Sequence, residues 1–168
     1  NVTALLWIHR QTDVQVFATW DTFTRIFNVE RSHLDVRAGL NPPFVNDVQS
    51  QTRATLDTLF RTTTPMFGGN ALDALTFAAL RESLRTNRPR VLFLGLGETD
   101  EWAHAGRYDL TLEAAHRADA IIEELWRALS SMEEYAGNTT LIITTDHGRG
   151  MQAHDWKHHG SDIAGSEN

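Results

Sequence analysis

Strands alternating with helices predict an α/β fold, a parallel sheet flanked by helices. Two runs, Val91-Leu92-Phe93-Leu94-Gly95-Leu96 and Thr140-Leu141-Ile142-Ile143-Thr144-Thr145, are apolar without alternation, as strands buried on both faces are. Between them, residues 109–135 place Ala114, Ala118, Ile121, Ile122, Leu125, Leu129 and Met132 on one side of a helix. Glu113/Arg117 and Glu123/Arg127 sit four apart on its other side.

The remaining elements follow in order. After a weakly helical opening, Val14-Gln15-Val16-Phe17-Ala18-Thr19 is a β-prone run. Asn41-Pro42-Pro43 breaks the chain, and Asn46 is placed to cap a helix over 46–60 with Val48, Thr52, Leu56, Leu59 and Phe60 on one face. That helix must end before Pro65, and Gly68-Gly69 makes a turn. Asn70 is placed to cap a helix over 70–86, with Asp73 at its third position, Leu72, Leu75, Ala79, Leu80 and Leu84 inward, and Pro89 beyond its end. Gly137-Asn138 stops the long helix. The expectation is that strands 14–19, 91–96 and 140–145 are parallel neighbours in one sheet.

Composition narrows the function classes. Of 168 residues, 41% are hydrophobic and 22% charged, as in an ordinary globular protein. No run of eighteen apolar residues exists to span a membrane. The absence of Cys excludes disulfides and thiolate metal sites. Residues 1–90 hold ten Lys/Arg against eight Asp/Glu, a balance of +2; residues 91–168 hold five against fourteen, a balance of −9. Sequence-independent nucleic-acid binding wants the opposite sign. Glu123, Glu124, Glu133 and Glu134 are a solvated helix face, but acidic residues also bind cations, and most histidines lie in this half.

In open α/β sheets, ligands bind beyond the carboxyl ends of the strands. The run 91–96 leads into Gly97-Glu98-Thr99-Asp100-Glu101-Trp102-Ala103-His104, and 140–145 leads into Asp146-His147-Gly148-Arg149-Gly150. An Asp/His pair thus follows each run. Asp100 and His104, four apart, share a face of one helical turn. Asp146 and His147 are adjacent, and Gly148 with Gly150 offers a sharp turn through which both could converge. Carboxylate oxygen with imidazole nitrogen is what zinc accepts when no thiolate is present. His154, His158 and His159 supply a third histidine. A single histidine near a strand end is more often structural, and His9, His33 and His116 are read that way. Four histidines among the thirteen residues 147–159, behind two Asp/His pairs, point to metal. Spacing leaves zinc and manganese open.

Thr144-Thr145-Asp146-His147-Gly148 resembles the signature of the alkaline phosphatase superfamily, which includes phosphatases, phosphodiesterases, sulfatases and cofactor-independent phosphoglycerate mutases. Asp100-x-x-x-His104 after an apolar run is similar to that family's earlier pair, and His159-Gly160 to its later histidine; the likeness covers roughly residues 91–160. It implies an alkaline-phosphatase-like sheet, incomplete at both ends, with residues 1–168 part of a single catalytic domain. It further implies two divalent metal ions, zinc first and manganese as the alternative. Asp100, His104 and the later histidine would hold one. Asp146 and His147 would hold the other, together with an Asp and a Ser/Thr nucleophile from an earlier segment.

Asp21 and Thr22 superficially offer that pair but are read as a helix start, so no nucleophile is assigned in this chain and the isolated stretch is expected to be inactive. Between His158 and His159, the position directly before Gly160 favours His159, with Asp155 or Asp162 as acceptor for its second nitrogen. Arg149 and Lys157 are candidates to contact the substrate's oxyanion, a surface role for each being the competing reading. The expected substrate is a small phosphate ester, mono- or diester, hydrolysed by the parent protein. A sulfatase or manganese-dependent phosphomutase is the alternative, and a non-catalytic relative that binds metal or an anion is the reading from another class.

Overall fold

The computed structural model describes residues 8–9, 12–47 and 50–167. They fall into two compact units, one running to Gly97 and one starting at Glu98.

The first unit is built on a three-stranded parallel sheet. Strands β1 (Val14–Ala18), β2 (Asp35–Ala38) and β3 (Val91–Gly95) lie in the order β2-β1-β3. Val16 pairs with Val36 on one side and Phe93 on the other. β1 is the centre, with all five residues buried. Val14 and Val16 pack with Phe27 and Leu34 on one face of the sheet, joined by Phe23, Val36, Val91 and Phe93. Gln15 is buried as well; it accepts from Ser83 Oγ (2.7 Å) and donates to Asp35 Oδ2 (3.1 Å), so it does not stand unsatisfied in the core. The parallel pairing of runs 14–19 and 91–96 is as expected. β2 was not anticipated, although Leu34, Val36 and Ala38 alternate with Asp35 and Arg37 at period two.

Beyond β1 the chain turns through Trp20-Asp21-Thr22 into the short helices α1 (Phe23–Ile26) and α2 (Val29–Ser32). Thr22 stands at the α1 N-cap as expected, without a side-chain cap bond. Helix α3 (Gln51–Thr62) begins later than the expected start at Asn46, because Ser50 is the cap: its Oγ accepts from Arg53 N–H at 3.2 Å. Val48 and most of the opening stretch lie outside the described residues. Helix α4 (Asp73–Asn87) also starts late. Asn70 does not cap it. Its Oδ1 accepts from Asp21 N–H (3.3 Å), while Phe67 and Asn70 form an antiparallel bridge around Gly68-Gly69. Ala79, Leu80 and Leu84 are buried as expected, and Leu72 and Leu75 half-buried. Buried Arg53 joins α3 to α4. It bonds Asp47, Thr86 (2.5 Å) and Asn87 (3.0 Å), lies 3.6 Å from Glu82, and sits over the Phe44 ring.

The second unit holds α5 (Glu98–His104) and α6 (Tyr108–Ser131). α6 ends at Ser131, before the expected end at 135, because Met132 turns to extended backbone. It buries Ala114, Ile121, Leu125 and Leu129 of the expected stripe, with Ala118, Ile122 and Met132 half-buried, and the expected pairs Glu113–Arg117 (3.3 Å) and Glu123–Arg127 (2.5 Å) form. Glu98 is buried at the start of α5, held by Arg117 Nη2 and Trp102 Nε1, both at 3.3 Å. Residues 140–145 correct the expectation of a second buried strand. They carry no strand structure, and Leu141, Ile142 and Ile143 are exposed by 38%, 82% and 64%. A strand exists only through a partner's N–H and C=O groups, and no described residue of this unit is in a strand. No described helix is long and apolar enough to cross a membrane.

Candidate metal centre

α5 presents Asp100 and His104 on one face, with His104 Nε2 3.3 Å from Asp100 Oδ2, the i, i+4 relation expected. The other residues come from the irregular segment 146–167, which its own backbone organises. Gly148 N–H donates to Ser166 O (2.9 Å), Gly150 N–H to His158 O (3.1 Å), and Gly160 N–H to Ser166 Oγ (2.7 Å). Ser166 is 6% exposed and ties this segment at two points, a role the sequence did not signal. Gly148 and Gly150 serve a different purpose from the sharp turn expected of them. Neither has a positive φ; a Cβ on Gly148 would collide with the Gly165 carbonyl, and one on Gly150 with Asp155. Close approach of the chain requires them. Trp156 packs edge-on to Tyr108 at 5.3 Å between centroids, fixing the segment against the start of α6.

His147 Nε2 and His159 Nε2 each lie 3.6 Å from Asp100 Oδ1. One ligand atom from each of Asp100, His147 and His159 falls within 4.8 Å of the other two. The His147 and His159 rings stack at 3.8 Å, only 15° from parallel. His104 Nε2 approaches His159 Nε2 to 3.0 Å. Donors held 2.0–2.2 Å from a tetrahedral zinc stand roughly 3.4 Å apart, close to the spacings here. His147 Nδ1 lies 2.9 Å from Gly148 O, so that carbonyl can accept a hydrogen bond from Nδ1–H and leave Nε2 as the ligand nitrogen. The donor set and its spacing therefore fit a divalent ion.

Asp146 stands at the rim. It is 87% exposed; Oδ1 accepts from His147 N–H (3.0 Å), and Oδ2 is 3.6 Å from His147 Nε2. His158 is exposed and outside the cluster, and His154 is 82% exposed. Neither carboxylate expected to support His159 reaches it. Asp155 Oδ1 accepts from Gln152 N–H (2.7 Å), and Asp162 Oδ1 from Ser161 Oγ (3.2 Å).

Arg149 is not free to face a substrate. Nη2 bonds both Asp100 Oδ1 and Asp100 O (3.0 Å), and Nη1 donates to Lys157 O at 2.9 Å. The Lys157 side chain runs past Gly106. Burial, then the neighbouring His147, push the His159 imidazole below its ordinary pKa; Asp100 pulls it upward, and His104 and Arg149 push it further down. The neutral ring so favoured is the form that ligates metal.

A stretch of 74 residues, 44% of the chain, is 32% identical to a 2,3-bisphosphoglycerate-independent phosphoglycerate mutase from Gracilaria tenuistipitata var. liui, of whose length it covers 13%. No solved structure matches the chain significantly. The family model of the metalloenzyme superfamily matches residues 46–163, well over half of the chain and all of the cluster Asp100, His104, Asp146, His147 and His159, and the chain belongs to that alkaline phosphatase-like superfamily.

Proposed function

We propose that this chain carries the greater part of the metal site of an enzyme acting on small phosphate esters, and that both units belong to one catalytic domain of a longer protein. The convergence of Asp100 Oδ1 with the Nε2 atoms of His147 and His159 supports this most directly. Asp100, His104 and His159 would hold one divalent ion, and Asp146 with His147 would contribute to a second. Zinc suits the mixed nitrogen and oxygen donors, with manganese the alternative. When bound, such ions supply Lewis-acid polarisation of a phosphoryl oxygen and a nucleophile active at neutral pH. Lys157 would add positive charge for the oxyanion, and Arg149, expected in the same role, could do so only once released from the Asp100 carboxylate. The nucleophile is assigned to no residue of this chain.

Hydrolysis of a mono- or diester is the leading reading. Phosphoryl transfer within a substrate is the second, favoured by the relative's name as a phosphoglycerate mutase. The test is to purify the full-length protein, measure bound zinc and manganese, and assay phosphate release from mono- and diesters beside isomerisation of a phosphoglycerate. Close to two ions per chain, lost together with activity in Asp100→Ala, is the expected result. A metal-free protein, or a fully active Asp100→Ala variant, would refute the assignment.

A further inference from the structure

We propose that Arg149 is a built-in counter-cation for Asp100 that an incoming divalent ion must displace; this rests on the metal reading above. Asp100 divides its carboxylate between neighbours. Oδ2 faces His104, whereas Oδ1 faces both His147 and His159 and also accepts from Arg149 Nη2. The guanidinium therefore donates to the same oxygen on which the two imidazoles converge. Its one positive charge balances the Asp100 carboxylate on which the imidazoles converge, and those imidazoles can stay neutral. A dication on Asp100 Oδ1 would lie within a few ångströms of that guanidinium, where like charges repel strongly.

Two of the three Arg149 contacts, to Asp100 O and Lys157 O, go to backbone carbonyls and do not depend on the carboxylate. Releasing Oδ1 thus needs only a small swing, and the guanidinium stays at the rim of the site. Lys157 O lies two residues before His159, so the same contacts bind the histidine-bearing segment to α5 with no ion bound. The side chain is 20% exposed and aimed inward, unlike a solvated surface arginine. Preorganisation is the gain, and competition with the ion is its cost.

Zinc alone, titrated calorimetrically into chelator-treated full-length protein, tests this. Arg149→Met should bind zinc about tenfold more tightly than the unmutated protein, while Arg149→Lys, which keeps the charge, should stay within about threefold of it. A strut without competition predicts the reverse, so unchanged or weaker zinc binding by Arg149→Met overturns the proposal. If the unmutated protein binds zinc and only the variant comparison fails, the metal site stands and this inference alone falls. Zinc binding by neither protein sinks both. A second measurement needs no variant: modification of Arg149 by an arginine-specific dicarbonyl reagent, followed by peptide mass spectrometry. Zinc should speed it several-fold by freeing the guanidinium, and an unchanged or slower rate counts against displacement.

Discussion

His104 Nε2 and His159 Nε2 lie 3.0 Å apart across 55 residues of sequence, and opposite oxygens of Asp100 face the two rings. At that distance only one of the facing nitrogens can carry a proton, so the pair either shares it or turns both lone pairs to a cation. His104→Ala should leave the fold intact and weaken zinc binding of the full-length protein by at least about 10- to 100-fold, the loss that follows removal even of a group that only supports a ligand. Asp100→Ala, which removes charge as well as a donor, should weaken it further. Direct titration checks the order, and equal affinities for the two variants would contradict it.

The adjacent histidines separate in the same assay. His159 faces Asp100, while the His158 ring is exposed and its backbone carbonyl accepts from Gly150 N–H. His159→Ala is therefore expected to lose metal, and His158→Ala to keep it because the carbonyl contact survives the substitution. Metal loss confined to His158→Ala would reverse the assignment.

What could be read from the sequence divides by length scale. α6 has room for many turns of its apolar period, β3 announces itself by continuous apolarity, and β1 by its β-prone residues. β2 has four residues, α1 and α2 four each, too few to raise a periodic signal above background. The run 140–145 misled in an instructive way. Apolarity states a need for burial and names no partner, and Ile142 is 82% exposed in a unit whose described residues include no strand. At the site, Asp100 and His104 were legible because i, i+4 spacing is local. The bond from Arg149 to Asp100 depends on the course of an irregular segment and was not.

The buried Arg53 offers a prediction in the first unit. Its side chain and that of Glu82 are each 4% exposed, so removing the cation leaves a buried carboxylate with the surface Arg85 and the Ser50 hydroxyl beside it. Arg53→Ala should destabilise the protein by about 3 kcal/mol or more. Denaturant unfolding of the metal-free full-length protein checks this, and a loss below about 1 kcal/mol would mean that the network of Asp47, Glu82, Thr86 and Asn87 is not formed.

Gly148 tests the approach of two backbone segments. A Cβ there would run into the Gly165 carbonyl, and both segments are fixed by the Gly148 N–H to Ser166 O bond. Gly148→Ala should cost about 1–3 kcal/mol through forced backbone shifts. It should also weaken zinc binding, because His147 is its chain neighbour and uses Gly148 O for its Nδ1. Alanine at Gly137 meets no atom within 4 Å but must adopt a φ of +72°, so it should lower stability modestly and leave zinc binding unchanged. Equal zinc affinity for the two variants would show that the close approach does not support the site.

The pH dependence of the metal-free protein follows from His159. Burial first, then the His147 beside it, lower its pKa below the ordinary imidazole value. The unfolded chain then binds more protons at this position than the folded chain does. Stability therefore rises with pH across this window. The neutral ring costs nothing above the unfolded pKa of about 6.5; below it the folded state is progressively disfavoured, until pH falls beneath the lowered folded value and the penalty levels off. Thermal unfolding of chelator-treated full-length protein between about pH 7.5 and 5 should show the melting temperature falling as acid is added. His159→Gln, which cannot titrate, should show a shallower fall over the same range. The comparison between the two proteins carries the test, since groups remote from His159 contribute equally to both. Identical slopes would mean that His159 keeps an ordinary proton affinity, and with it that Asp100 offsets the burial and the neighbouring imidazoles completely.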